Sequence, residues 1–107
     1  MKTSNIFSNT PKNSSDELFE EILQTQSFTL ERIISVKPSL PKDQWYDQQQ
    51  NEWVMVLKGA AGLRFADNDN VVVMKPGDYL KIPARLKHRV EWTDPTQETV
   101  WLAIHYS

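Results

Sequence analysis

GDYLKIPARLKH, residues 77–88, reads as a short strand between two turns that ends on one of the chain's two histidines. Pro76 and Gly77 open it with a turn signal. Tyr79, Leu80 and Ile82 favour extended backbone, and Pro83 stops the run because proline cannot donate to a central ladder. A second apolar run, Val90 to Trp92, follows. His88 therefore stands where a strand restarts, a position from which a side chain can be aimed into a barrel.

The flanking sequence repeats this rhythm. Asp67-Asn68-Asp69-Asn70 is a hairpin tip between strands at 62–66 and 71–74. Glu52 to Leu57, EWVMVL, is apolar after its first residue, which predicts a strand buried on both faces, with Gly59 at its turn. Trp45 to Asp47 begins an extended piece, and Gln48–Asn51 is a polar bend. Upstream, Phe28, Leu30, Arg32 and Ile34 fall on one face of a strand, and Thr29, Glu31, Ile33 and Ser35 on the other. Lys37–Asp43, with Pro38 and Pro41, is a connector. Downstream, Asp94-Pro95 turns the chain into a last strand, Val100–Tyr106. Such closely spaced short strands, about seven to nine of them, predict an all-β, antiparallel sandwich or closed barrel.

The N-terminus reads differently. Residues 1–13 are a polar arm that Ile6 and Phe7 could pin to the body. Ser14 or Ser15 can cap a helix, and Leu18, Phe19, Ile22 and Leu23 recur at helical spacing. This predicts one short amphipathic helix, Asp16–Gln24, covering an open end or edge of the sheet. The expected organisation is an arm and helix over 1–26 and a single barrel domain over 27–107.

Composition narrows the function classes. The 107 residues suit one core, and a formal net charge of −2 offers nothing to nucleic acid or an acidic membrane surface. The absence of cysteine excludes disulfides, thiolate metal sites and cysteine nucleophiles. No apolar run is long enough to cross a bilayer, and the N-terminus lacks a signal-like apolar stretch, so a soluble, cytoplasmic protein is expected.

Two segments carry polar residues at informative spacing: WYDQQQNEWVMVLKG, residues 45–59, and the opening stretch. Together they resemble the two signatures of the cupin family, small jelly-roll β-barrels. The first signature is G-x5-H-x-H-x3–4-E-x6-G, and here six residues separate Glu52 from Gly59, as the motif requires. The second is G-x5-P-x-G-x2-H-x3-N, matched in type by Gly77, Pro83 and His88; Leu86 is read at its last glycine and Trp92 at its asparagine. The resemblance spans about Asp43 to Ile104 and implies a small single-domain cupin with a site inside the barrel. In metal-binding cupins the first motif supplies two histidines and a glutamate, and the second one histidine. Counting back from Glu52 places Tyr46 and Gln48 at the two histidine positions.

Two chemistries stay open. One is a loosely held divalent ion (Mn, Fe, Ni or Zn) on Gln48, Glu52 and His88, with water completing the shell. The other is a metal-free pocket in which Glu52 orients His88 as a general base and Tyr46 serves as acid partner. A buried structural Glu52–His88 pair weighs equally with the second. Trp92, an even number of residues after His88, should share its face and line the pocket. Arg85, in the loop before His88, belongs to a basic set with Lys81, Lys87 and Arg89 that could draw a small anionic ligand. His105 is read as a core or surface residue. An enzyme, a ligand-binding regulatory module and a filled-barrel interaction protein are all compatible with these residues. A homodimer is expected, with segment 27–36 pairing through a sheet edge or swapping.

Overall fold

The structure, a computed structural model, is described over residues 1–10, 17–37 and 44–107. These residues form eight strands: β1 (Leu18–Gln24), β2 (Phe28–Ser35), β3 (Asn51–Lys58), β4 (Ala61–Phe65), β5 (Val71–Met74), β6 (Tyr79–Ile82), β7 (His88–Thr93) and β8 (Thr99–Tyr106). They make two antiparallel sheets, one ordered β1-β2-β8-β3-β6 and one ordered β5-β4-β7. The all-β jelly-roll expectation is met. Ile33, Val54, Leu63, Ile82, Val90 and Trp101 come from both sheets and meet in one core. The capping serines, Asp16 and the 38–43 connector lie outside the described residues.

The expected helix is a strand. β1 pairs antiparallel with β2, from Leu18 opposite Ile34 to Gln24 opposite Thr29. Helical spacing misled because of a bulge: register shifts between Glu21 and Leu23, leaving Ile22 as the extra residue. Leu18 and Leu23 therefore share one face despite their odd separation, opposite Ile34 and Leu30. A helix this short has little stability of its own, whereas β1 gains a full ladder. β1 also takes an edge of the larger sheet, so β2 lies between β1 and β8 and both of its edges are paired within the chain.

Arg32 ties the outer face of this sheet together. Its guanidinium donates to both Glu20 carboxylate oxygens at 2.7 Å and to the carbonyl oxygens of Ile6 and Ser8 in the arm. Four acceptors on a planar fork explain how a charged side chain is buried here. Ile6 lies in this seam, while Phe7 remains exposed. Arg32→Met keeps the aliphatic stem but removes every donor. It is expected to cost roughly 1–3 kcal/mol, since the half-exposed Glu20 can rehydrate. Urea denaturation measures the loss, and hydrogen exchange should rise first in residues 1–10 and β1.

β3 alternates rather than being buried on both faces. Glu52, Val54 and Val56 are buried, while Trp53 and Met55 are only half-buried on the outer side. Trp53 packs there on Tyr79 of β6, ring centres 5.5 Å apart. Gly59 turns β3 into β4 with φ of 80°, and a Cβ there would lie 2.7 Å from the Thr99 hydroxyl. At the β7–β8 turn, the Thr96 amide and hydroxyl and the Gln97 amide donate to Asp94, holding its carboxyl below the ordinary carboxylate range.

Candidate functional site

Between the sheets lies a cavity of about 540 Å³, in the size range of small-molecule pockets. Strand parity decides its wall. Alternate residues of β2 (Thr29, Glu31, Ile33), β3 (Glu52, Val54) and β7 (His88, Val90) line it, together with Trp101 and His105 of β8. Tyr46, Gln48 and Gln50 enter from the segment before β3, and Glu17, Phe19 and Glu21 from β1 and the residue before it. Phe19 and Glu21 are exposed, so the cavity opens to solvent beside β1.

The two motifs meet on this wall as expected. His88 Nε2 lies 3.7 Å from Glu52 Oε1, and both side chains are over nine-tenths buried. The Gln48 amide donates to the same Glu52 oxygen at 2.8 Å. Tyr46 and His88 exchange backbone hydrogen bonds as an isolated bridge, N to O distances 2.7 and 3.1 Å, which fixes the histidine's backbone. The imidazole sits between the Tyr46 and Phe65 rings, 5.7 and 6.1 Å away. His88 Nδ1 faces the Leu86 carbonyl at 3.0 Å; a carbonyl only accepts, so Nδ1 carries the proton and Nε2 is left for the cavity. The Tyr46 hydroxyl donates to Glu17 at 2.9 Å.

Two expected residues lie elsewhere. Trp92 is 38% exposed and does not line the cavity. The parity argument assumed a regular strand, but register between β4 and β7 shifts after Gly62: Gly62 faces Trp92 while Leu63 faces Val90, so Glu91 is a bulge. The indole instead covers Gly62, where any Cβ would overlap it. Arg85 pairs with Asp47 at 3.2 Å on the surface, away from the cavity lining. Its backbone has φ of 67°, so the left-handed position matching the motif's last glycine is Arg85, not Leu86. The rest of the basic set is dispersed. Arg89 is buried away from the cavity lining, with Nε 3.4 Å from Glu91 and a terminal nitrogen donating to the Gln44 carbonyl, and neither Lys81 nor Lys87 lines the cavity.

His105 points inward, contrary to its reading as a bystander. Its Nε2 is 2.9 Å from Glu31 Oε1, and its backbone stands opposite Glu52 in the β3–β8 ladder. The alternation in β2 already put Glu31 on a face with Thr29 and Ile33, but which face lines the cavity depends on register with β8.

The donors do not suit the divalent ion that the family resemblance implies. Among the described residues no three His, Cys, Asp or Glu side chains converge as metal ligands. The third candidate, Gln48, presents its amide N–H to Glu52, which is a donor where a metal needs a lone pair. Of the three expected ligands only His88 and Glu52 remain, too few for a dedicated transition-metal site.

No helix is long and apolar enough to cross a membrane among the described residues. No curated protein matches the chain. Among solved structures, a Ralstonia eutropha protein provisionally named a mannose-6-phosphate isomerase is 43% identical, with a TM-score of 0.93 over 100% of this chain and 99% of its own. An RmlC-like cupin from Desulfovibrio desulfuricans (19% identity, TM-score 0.73, coverage 98% and 96%) and the polyketide cyclase RemF from Streptomyces resistomycificus (17%, 0.75, coverage 99% and 79%) share the fold. The cupin domain model matches residues 32–105, from Arg32 on β2 to His105 on β8, and so takes in both halves of the cavity wall: the chain belongs to the cupin family.

Proposed function

We propose that this cupin catalyses proton transfer on a small hydroxy-carbonyl compound, an isomerase type of reaction, with Glu52 as base and His88 as its partner at the carbonyl oxygen. The observation that carries this reading is the buried Glu52–His88 pair, 3.7 Å apart on the wall of a ligand-sized cavity. A carboxylate beside an imidazole of defined tautomer is what general acid–base chemistry requires. The name of the 43% identical relative supports the reaction class.

The steps balance without an oxidant or reductant. The Glu52 carboxylate takes a proton from the carbon next to the carbonyl. The C–H pair becomes a new C=C bond, and the carbonyl π pair moves to oxygen, which takes a proton from protonated His88 at Nε2. The hydroxyl on the carbon that lost its proton then returns a proton to His88 Nε2 and becomes the new C=O, while the C=C pair takes the proton from Glu52 at the former carbonyl carbon, which gives the isomer. Gln48 steadies Glu52, Tyr46 positions His88 through its backbone bridge, and Val54, Leu63 and Val90 make the neighbouring wall apolar.

A second reading, ligand binding without catalysis, is favoured by one observation: Glu52 already accepts a hydrogen bond from Gln48. Proton nuclear magnetic resonance in D₂O separates the two. D-mannose, D-fructose and their 6-phosphates are incubated with the protein, and the α-proton signals are followed. Protein-dependent exchange into at least one sugar is the expected result. Absence of exchange across the whole panel would overturn the catalytic reading.

A further inference from the structure

The Glu31–His105 pair has no part in the steps above, yet it lies on the same wall. β8 stands between β2 and β3, so Glu31, His105 and Glu52 come from three neighbouring strands. His105 bonds Glu31 on one side and stands directly opposite Glu52 on the other, where cross-strand side chains are close neighbours. His88 continues the row from the facing sheet. The result alternates carboxylate and imidazole across the cavity, while Thr29 and Gln50 add neutral polar groups and Trp101 an apolar wall.

The charge of this lining is one-sided. Glu17, Glu21, Glu31 and Glu52 line the cavity, and no lysine or arginine lines it among the described residues. Any positive charge on either imidazole is met by its own carboxylate. A phosphate ester carries nearly two negative charges near neutral pH and would meet no lysine or arginine of the lining among the described residues. Resting on the proton-transfer reading, we propose that Glu31 and His105 are a second ligand-binding pole of the site, and that the compound held between the two poles is an uncharged polyhydroxy-carbonyl, a free sugar rather than a sugar phosphate. Hydroxyls both donate and accept, so they suit a row of alternating acceptors and imidazoles. This reverses the expectation of an anionic ligand drawn by Arg85 and its neighbours.

The test measures binding and exchange separately on the full-length chain. Calorimetric titration with D-mannose and D-fructose, and with each 6-phosphate, is run on the wild type and on Glu31→Gln, His105→Gln and Glu52→Gln. At least one free sugar should bind, at least about tenfold more tightly than its phosphate. Glu31→Gln and His105→Gln should each weaken that binding about fivefold or more, with circular dichroism unchanged. Equal or tighter binding of the phosphates, no binding of either free sugar, or wild-type binding by both variants would overturn the inference. Binding without α-proton exchange sinks the catalytic reading and leaves this one standing. Exchange lost only in Glu52→Gln, with the Glu31 and His105 variants like wild type in both assays, does the reverse.

Discussion

Glu52→Gln is expected to lower the rate of α-proton exchange about 10²–10⁴-fold, the range that a positioned acid or base contributes. The substitution is nearly isosteric. The new amide oxygen can still accept the Gln48 N–H that now reaches Glu52 at 2.8 Å. What disappears is the basic carboxylate facing His88. Thermal stability should therefore change little, and this separates the functional role from a structural one. A buried ion pair that serves the fold loses several kcal/mol when one partner is removed, because the other charge stays behind uncompensated. Paired measurements of exchange rate and melting temperature decide the matter. A large drop in melting temperature with the exchange rate intact would assign Glu52 to the core and not to chemistry.

Trp101→Ala should be the most damaging substitution for stability, at about 3–5 kcal/mol. Trp101 is 3% exposed and packs in the core between the sheets. It is also the middle strand's largest side chain, opposite Ile33 of β2 and Val56 of β3. Its indole N–H donates to the buried Ser35 hydroxyl at 3.2 Å, and that hydroxyl lies 3.4 Å from Glu17. Alanine would empty the volume and strip the hydroxyl of its donor at once. Trp101→Phe keeps most of the volume and should cost only about 1–2 kcal/mol, mainly the hydrogen bond. Urea unfolding curves for both variants test this, and a Trp101→Ala loss no larger than that of Trp101→Phe would show that the cavity wall collapses to fill the gap.

Much of the barrel was legible because its signals are local. Pro83 ends β6 at Ile82 whatever surrounds it, since proline has no N–H for the ladder. The Asp67–Asn70 tip separates β4 from β5 for the same kind of reason. The resemblance to the two cupin signatures implied that Glu52 and His88 share a site, and they do line one cavity although they come from different sheets. The failures share a different cause. Ile22 and Glu91 are bulge residues, and a bulge reverses the parity on which a face assignment depends. One made a strand look like a helix, and the other sent Trp92 outward. His105 needed a register that is a property of two strands and not of one.

The sequence by itself determined the strand rhythm and the turns, because proline, glycine and turn formers act over a few residues, while its resemblance to the two cupin signatures implied that Glu52 and His88 share a site. Only the tertiary structure decided that β1 is a strand, that Trp92 covers Gly62 and that Glu31 and His105 join the cavity. Those outcomes depend on hydrogen-bond register between strands distant in the chain, and a single inserted residue exchanges one face of a strand for the other.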